Sequence, residues 1–218
     1  MSIVEELCRA AAGIKYDVQK LSTEDKDRAL RTAAKRLIEK QEEILAANRT
    51  DIEAGRASGM PEALIDRLTL TPARIEQIAE GLCQVADLPD PVGELMDEFT
   101  RPNGMKIRKI RVPMGVIGVI YESRPNVTAD AFALCFKAGS AVILKGGSDA
   151  LHSNMAITQV LRDAGYPDVS VRVDCALVDD KIAPQRITVR GTIQADTLRA
   201  LLRPYLTAHT SLLLLTED

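Results

Sequence analysis

Residues 112–148 read VPMGVIGVIYESRPNVTADAFALCFKAGSAVILKGGS. The apolar, β-branched run at residues 116–121 predicts a strand buried on both faces of a sheet. A polar elbow, residues 122–126, follows it, and the largely apolar run 128–138 before a glycine predicts a helix. Residues 141–145 predict a second buried strand, which leads into two glycines. This order predicts a right-handed βαβ unit whose ligand crevice lies at the carboxyl ends of its strands.

Three polar side chains fall at that crevice, and each has two interpretations. The Asn126 amide, beside the start of a helix, suits the role of donor to a developing oxyanion, or it only caps the helix. Lys145 ends a strand at the sheet edge. There it either contacts a phosphate or a ribose hydroxyl, or it only extends into solvent. Arg124 holds an anion, or it is an ordinary surface or ion-paired residue. The chain has neither a GxGxxG fingerprint nor a Walker motif to decide between them.

The chain before the βαβ unit divides into two parts. Residues 1–93 predict helices, among them one long amphipathic helix over 24–48 and a short polar one over 48–59. Residues 94–112 predict a β-hairpin, because Asn103-Gly104 lies between two extended runs. The chain is therefore predicted to be an α/β protein with a helical N-terminus and a hairpin arm.

The chain after the βαβ unit gives a weaker pattern. The core is predicted to span residues 113–174 and to include a third parallel strand at 169–173. Residues 175–218 form a tail of uncertain origin that is predicted to continue the sheet. Within it we expect a strand, a helix and a strand, at 186–190, 195–203 and 211–215.

Composition excludes several classes of protein. The formal net charge of −3 over 218 residues gives no basic field for nucleic acid or an anionic membrane. No apolar run is long enough to span a membrane and the N-terminus lacks a signal-peptide pattern, so we expect a cytoplasmic protein. The cysteines have no CxxC spacing and His152 and His209 have no evident partner, so no metal site is expected. Cys135 lies in an apolar run and is predicted to be buried rather than nucleophilic.

The run GVIGVIYESRPNVTADAFALCFKAGSAVILKGGSDA resembles the glutamate-5-semialdehyde dehydrogenase family, also called gamma-glutamyl phosphate reductases, within the aldehyde dehydrogenase superfamily. ANRTDIEAGRASGM and LIDRLTLTPARIEQIAEGL also resemble the N-terminal helices of this family. Together these segments extend the resemblance over residues 1–168. The resemblance implies a Rossmann-like parallel sheet, and it implies that the hairpin is an arm through which copies of the chain form a homo-oligomer.

The resemblance also implies roles for single residues. Asn126 matches the asparagine of the superfamily's oxyanion hole. The expected cofactor is NADP(H). Its nicotinamide is expected to lie beside a backbone turn formed by Ser123, Arg124 and Pro125. Its adenosine ribose or 2'-phosphate is expected to contact Lys145, with Gly147 and Ser148 next to it.

The reaction that the resemblance implies is reduction of gamma-glutamyl phosphate, in which a cysteine thiolate attacks, phosphate leaves and NADPH reduces the thioester. The family's catalytic cysteine lies in a motif like QRPSTCN, which is absent here. We therefore expect a truncated form that is inactive alone. The alternatives are a non-catalytic nucleotide-binding or assembly scaffold, or an enzyme completed by a separate chain. The tail at residues 175–218 is a divergent continuation, a frameshifted segment or a joined foreign segment.

Overall fold

The computed structural model describes residues 3–165, 169–178 and 181–191. The chain divides into two compact units, Met1–Gly165 and Tyr166–Asp218. The first unit contains the following helices and strands in chain order: α1 Ile3–Gln19, α2 Thr23–Glu39, α3 Gln41–Ala57, α4 Glu62–Leu68, α5 Pro72–Asp87, β1 Leu95–Thr100, β2 Lys106–Ile110, β3 Val116–Ile120, α6 Asn126–Lys137, β4 Ala141–Lys145 and α7 Leu151–Gly165.

The helical N-terminus is confirmed, but one predicted helix is divided differently. The predicted helix over 24–48 is wrong, because α2 ends at Glu39 and α3 continues to Ala57 through the segment expected to be a separate helix. The break is at Lys40, whose ψ of 14° departs from helical geometry. Leu37 and Ile44 are both only 1% exposed, so the apolar stripe continues across the break and does not reveal it.

The core of the first unit lies where α2 and α5 meet α6 and α7. Its members share near-complete burial of an apolar side chain on the inner face of a helix; the largest are Leu30, Leu37, Ile44, Ile75, Leu82 and Ile157. Each such side chain contributes roughly 1.5–3 kcal/mol relative to an exposed one. Within the described part of the chain, no helix is both long and apolar enough to cross a membrane.

The βαβ order is confirmed. β3 and β4 pair in parallel from Val116↔Ala141 to Ile120↔Lys145, and α6 connects them. Gly139, with φ of +69°, follows α6 in the left-handed conformation that glycine tolerates best. The predicted burial on both faces is wrong, because Ile120 is 82% exposed. Among the described residues α1 and α6 pack on this sheet and it has two strands, which leaves the end of β3 uncovered.

The predicted hairpin is also present. β1 and β2 pair antiparallel from Leu95↔Ile110 to Thr100↔Lys106. The turn is closed by the Arg101 N–H, which donates to the Met105 carbonyl at 2.9 Å. Every residue of β1 is exposed.

The second unit contains β5 Val169–Val178 and β6 Lys181–Gly191, which pair antiparallel in a sheet of their own. The third parallel strand predicted at 169–173 is therefore wrong. β5 runs antiparallel to β6, the strand with which it pairs. The strand predicted at 186–190 lies within β6, whereas the elements predicted at 195–203 and 211–215 lie outside the described residues, as does His209.

A group of charged side chains, here called the lysine cluster, joins α2 to the ends of α5 and α6. Lys26 is 1% exposed and Lys137 is 3% exposed. Lys26 Nζ pairs with Asp90 and donates to the Lys137 carbonyl at 3.3 Å. Lys137 Nζ pairs with Asp27 and donates to the Ala86 carbonyl at 2.9 Å. Both ammonium groups therefore have anionic and neutral acceptors, which offsets the cost of burying them.

Candidate active site

The elbow and the two glycines after β4 lie against each other at one edge of the sheet. The Tyr121 N–H donates to the Lys145 carbonyl at 3.1 Å, which extends the pairing past the end of β3. Ser123 Oγ donates to Asp149 Oδ2 at 3.0 Å, across the two loops. A Cβ atom on Gly147 would lie 3.1 Å from Ser123 Oγ, so the absence of a side chain permits this approach. The structure thus brings together the two segments that the sequence placed at the crevice.

A hydrogen-bonded network connects the segment after β3 with α6 and α7. Thr128 Oγ donates to Asn154 Oδ1 at 3.0 Å, and Tyr121 lies with its hydroxyl 2.6 Å from the same Thr128 oxygen. Because threonine has one hydroxyl proton, Tyr121 is the donor in this second bond. A Cβ on Gly146 would lie only 2.2 Å from Asn154 Nδ2. The sequence analysis did not identify Thr128 or Asn154, because only the fold brings them together.

Asn126 is the first residue of α6, and its side chain does not cap that helix. The residue before the helix is Pro125, which is buried and makes no side-chain capping bond. The Asn126 side chain is exposed, and its Nδ2 donates to Asp130 Oδ2 one turn along, at a long 3.4 Å. The capping interpretation of Asn126 is therefore wrong. The amide keeps capacity to donate to a ligand.

Lys145 and Ser148 occupy the exit from β4. Lys145 is the last residue of the strand and is exposed, and within the described chain its ammonium has no hydrogen-bond or ionic partner. Ser148 is exposed and begins a short 3-10 turn that ends at Ala150. A cation beside two glycines at a strand end can meet an anionic ligand without breaking an ion pair.

The start of α7 is fixed by a carboxylate from α3. Asp51 is 3% exposed and accepts hydrogen bonds from the Ser153 N–H at 2.8 Å and from the His152 N–H at 3.1 Å. Its Oδ1 also lies 2.7 Å from His152 Nδ1. His152 therefore has a partner that the sequence did not reveal, although it is a surface helix residue as expected. The first free N–H groups of α7 are satisfied by this carboxylate.

A cleft of about 390 Å³ opens beside the elbow, between α6 and the corner that joins α4 to α5. We call it the arginine cleft; it is lined by Asp66, Arg67, Thr69, Leu70, Arg74, Gln77, Ile78, Arg124, Asn126 and Asp130. The sequence analysis predicted Asn126 and Arg124 as site residues and missed the others. The spacing from Asn126 to Asp130, four residues on one helix, was the available signal for Asp130. Arg67 gave no signal, because only tertiary packing brings it to α6.

The three arginines of the cleft differ in their partners. Arg74 Nη1 donates to the Asp66 and Thr69 carbonyls at 2.5 and 2.7 Å, and its Nη2 pairs with Asp66 Oδ1 at 3.1 Å. In the described residues, Arg67 and Arg124 have no side-chain hydrogen bond or ion pair. Arg74 thus holds the α4–α5 corner together, whereas Arg67 and Arg124 remain available to an anion.

Asp130 is the carboxylate nearest to the Asn126 amide. The walls of the cleft take part of its carboxyl group out of water, and this desolvation raises the pKa of Asp130. The hydrogen bond from Asn126 favours the ionised form and opposes that shift. Within the described residues, the Asp130 carboxylate is not paired with the guanidinium group of Arg67 or Arg124, although all three residues line the cleft.

The three cysteines whose side chains are described do not line the cleft. Cys8 is exposed, Cys83 is half-buried and Cys135 is buried. Burial raises the pKa of the Cys135 thiol, which disfavours the thiolate. Cys135 also lies nine residues beyond Asn126 on α6, about 13 Å along the helix axis at 1.5 Å per residue. The prediction that Cys135 is buried is confirmed.

Comparison with known proteins assigns the family. The family model described as the aldehyde dehydrogenase family matches residues 2–175. The chain belongs to the aldehyde dehydrogenase family. The matched residues include both strands of the parallel sheet, the elbow and the arginine cleft, so all of the candidate site lies within the match.

Relatives within the aldehyde dehydrogenase family are similar to part of this chain. A gamma-glutamyl phosphate reductase of Heliobacterium modesticaldum is 49% identical over 181 residues, which are 80% of this chain and 42% of that protein. A gamma-glutamyl phosphate reductase of Geobacillus sp. is 57% identical over 144 residues, 66% of this chain and 35% of that protein. The chain therefore spans less than half the length of these curated relatives.

Solved structures of the family agree on the fold. The gamma-glutamyl phosphate reductase of Thermotoga maritima has a TM-score of 0.73 at 41% identity, over 75% of this chain and 39% of that one. An NAD-dependent benzaldehyde dehydrogenase of Corynebacterium glutamicum, 22% identical, has a TM-score of 0.56 over 73% of this chain and 32% of that one, which shows the fold alone. The resemblance stated from the sequence and the α/β fold class are thus confirmed. Members of the aldehyde dehydrogenase family use nicotinamide cofactors.

Proposed function

We propose that this chain forms the cofactor-binding and oxyanion-donating part of a site that reduces L-glutamyl 5-phosphate to L-glutamate 5-semialdehyde with NADPH. The reaction is a cytoplasmic step of proline biosynthesis. The observation that carries the proposal is the placement of Asn126, an exposed amide at the start of α6 that lines a charged cleft beside the strand edge where Lys145 ends β4. The gamma-glutamyl phosphate reductases among the relatives support the choice of substrate.

The residues at the sheet edge fit a nicotinamide dinucleotide phosphate. Lys145 is a cation without a partner in the described chain, which suits the adenosine ribose or its 2'-phosphate, with Gly147 and Ser148 beside it. The backbone of Ser123, Arg124 and Pro125 forms the turn beside the nicotinamide. NADPH supplies the hydride when it is bound.

Asn126 acts on the acyl oxygen of the substrate. When a thiolate attacks the acyl carbon, that oxygen gains negative charge, and an amide N–H aimed at it stabilises the charge most in the transition state. The same donor serves a second time when the acyl group is reduced. Removing one such donor costs roughly a hundred- to thousandfold in kcat.

The thiolate itself is proposed to come from outside the described residues. Cys135 is buried with a raised pKa, and in the 218 residues no cysteine lies in a motif like QRPSTCN. We therefore expect the 218-residue polypeptide to bind NADPH and not to form the semialdehyde by itself. Semialdehyde produced from NADPH and L-glutamyl 5-phosphate by this polypeptide would contradict that expectation.

Titration of the purified polypeptide with NADPH, followed by nucleotide fluorescence, tests the cofactor site. Lys145→Ala removes a charge-assisted contact, so we expect the Kd for NADPH to rise roughly ten- to hundredfold. Arg49→Ala is the control for loss of an exposed cation, since Arg49 lies on α3, has no partner in the described chain and lies outside the hairpin and the cleft. Absence of NADPH binding, or an equal effect of both substitutions, contradicts the proposal.

The hairpin is proposed to bind a second copy of the chain. All of β1 is exposed, and Phe99 leaves 45% of its surface in solvent, which suits an apolar contact. Light scattering after gel filtration is expected to show a dimer or larger assembly that Phe99→Asp dissociates. Leu64→Asp, at a 42% exposed leucine on α4, is the control and should leave the assembly intact. Assembly through the hairpin without NADPH binding would favour the alternative, a non-catalytic assembly scaffold.

A further inference from the structure

The arginine cleft contains more charge than the proposed chemistry at Asn126 uses. The proposed contact with the oxyanion uses the Asn126 amide, yet Arg67 and Arg124 also line the cleft without a partner in the described chain. Guanidinium groups bind carboxylates in a planar, two-bonded arrangement, and an unpaired one in a concave site is available for a ligand anion. The cleft therefore has guanidinium groups available to an anionic group in addition to the amide at the reacting carbonyl.

The cleft also provides an acceptor for a cation. Asp130 lies four residues after Asn126 on α6, one turn further along the same face, or about 6 Å at 1.5 Å per residue. The Asp130 carboxylate accepts a long hydrogen bond of 3.4 Å from the Asn126 amide. Within the described residues it forms no ion pair with Arg67 or Arg124. A ligand ammonium would give this partly desolvated carboxylate the charged partner it lacks.

We propose that Arg67 and Arg124 bind the α-carboxylate of the substrate and that Asp130 binds its α-ammonium, so that these residues select an amino-acid acyl group. This inference rests on the proposed function, because it takes Asn126 to hold the acyl oxygen. Three carbon–carbon bonds separate the acyl carbon from the α-carbon of a glutamyl group, and the Asn126 amide and the Asp130 carboxylate, 3.4 Å apart, are close enough for one such group to reach both. An uncharged aliphatic acyl group would leave the arginines and the aspartate without partners.

The arginines are assigned to the carboxylate rather than to the phosphate of the substrate. The acyl phosphate is bonded to the carbon whose oxygen Asn126 receives, and it leaves in the first step, so a contact with it cannot hold the acyl group in position for the later reduction. The carboxylate is at the far end of the glutamyl chain and does not change during the reaction. Binding energy from such a remote group holds the substrate in position.

The test is a titration of the isotope-labelled 218-residue polypeptide, followed by backbone and side-chain amide NMR. The probes are L-glutamate γ-monohydroxamate, a stable γ-acyl compound with both charges; glutarate monohydroxamate, which lacks the ammonium; 4-aminobutyryl hydroxamate, which lacks the carboxylate; and inorganic phosphate. We expect saturable binding of the first probe, with shifts at the Asn126 side-chain amide, and at least about tenfold weaker binding of the other hydroxamates.

Substitutions connect each charge to its residue. Asp130→Asn is expected to weaken the amino-acid probe about tenfold and to leave glutarate monohydroxamate unchanged, which a merely structural role would not produce. Arg67→Gln and Arg124→Gln are expected to weaken both probes that carry the carboxylate and to leave 4-aminobutyryl hydroxamate unchanged. Arg49→Gln is the control, because Arg49 is exposed on α3, has no partner in the described chain and lies outside the cleft.

The outcomes separate this inference from the proposed function. Equal affinity for all hydroxamates, no saturable binding, or inorganic phosphate binding that Arg67→Gln abolishes while the amino-acid probe is unaffected would overturn the inference. The Kd for NADPH is measured in Arg67→Gln and Asp130→Asn, and it should equal the wild-type value. If wild type fails to bind NADPH but discriminates among the probes as expected, the proposed function fails and the amino-acid site stands.

Discussion

Two groups of basic side chains in this molecule have opposite surroundings. In the lysine cluster, Lys26 and Lys137 are almost fully buried, and each ammonium contacts a carboxylate and a backbone carbonyl. In the arginine cleft, Arg67 and Arg124 are exposed and have no partner in the described chain. Burial forces a charge to find its partners within the fold, so removal of one member of the cluster leaves another member without its partner. An accessible charge without a protein partner contributes little to folding and can be used for binding.

The largest effect is expected from Lys137→Met. This substitution removes the cation from the cluster and leaves Asp27, whose side chain is 28% exposed, with no ammonium partner, so the free energy of unfolding should fall by about 1–3 kcal/mol. Urea denaturation measures it. Lys35→Met is the control, because Lys35 forms an exposed pair with Glu39 at 3.5 Å and should change stability by less than about 0.5 kcal/mol. Equal stability of Lys137→Met and wild type would refute the structural role of the cluster.

A smaller loss in the free energy of unfolding is expected at acidic pH, when Asp90 becomes protonated. Burial by itself would raise the pKa of Asp90, but bonds from Lys26, the Val92 N–H and Thr23 outweigh it and hold that pKa below its ordinary value. The folded state therefore binds this proton less readily than the unfolded state. Its contribution to stability is present above the ordinary aspartate pKa and is lost as the pH falls through the lowered one.

The measurement for Asp90 is the free energy of unfolding of wild type and Asp90→Asn from neutral pH to strongly acidic pH. The difference between the two proteins should be largest at neutral pH and should shrink as the acid protonates Asp90. A difference that stays constant over this range would show that Asp90 stabilises the fold without its charge.

Asp130 should change the free energy of unfolding with pH in the opposite direction to Asp90, and by a smaller amount. Desolvation raises its pKa, so the unfolded state loses this proton first, and stability falls as the pH rises through the raised value. Asp130→Asn should therefore make the protein slightly more stable at neutral pH and no different at a pH below both pKa values. Thermal unfolding at the two pH values checks this, and lower stability of the variant at neutral pH would contradict a ligand-binding role.

The smallest effect is expected from Arg67→Gln and Arg124→Gln. Because neither guanidinium has a partner in the described chain, each substitution should change the free energy of unfolding by less than about 0.5 kcal/mol. Chemical denaturation of both variants measures this. A loss of more than about 1 kcal/mol in either variant would place that arginine with the lysine cluster as a structural residue.

The sequence predicted what depends on neighbouring residues. The β3–α6–β4 order follows from two β-branched runs, an apolar helical run and Gly139, and each signal is local. The hairpin follows from Asn103-Gly104. The break at Lys40 was missed because no glycine or proline marks it, and the antiparallel partner of β5 was missed because a strand pattern does not specify its partner.

The candidate site was predictable to the same extent. Asn126 and Lys145 stand out because they end or follow predicted strands, so their position depends only on the βαβ order. Arg67 and Lys26 could not be predicted, because an arginine or lysine on an amphipathic helix has the same local pattern whether it lies in a cleft, in the core or on the surface. Their surroundings are decided by which helices pack together.

The close approach of Gly146 to Asn154 has a practical consequence. Asn154 accepts a hydrogen bond from Thr128 in the first turn of α6, and its Nδ2 lies beside Gly146 at the exit from β4, so its side-chain amide lies between these two segments of the site. The resonances of this amide are therefore expected to respond to ligands near the start of α6 or near the exit from β4. Asn154 offers an observation point from which both halves of the site can be followed without altering a residue that contacts the ligand.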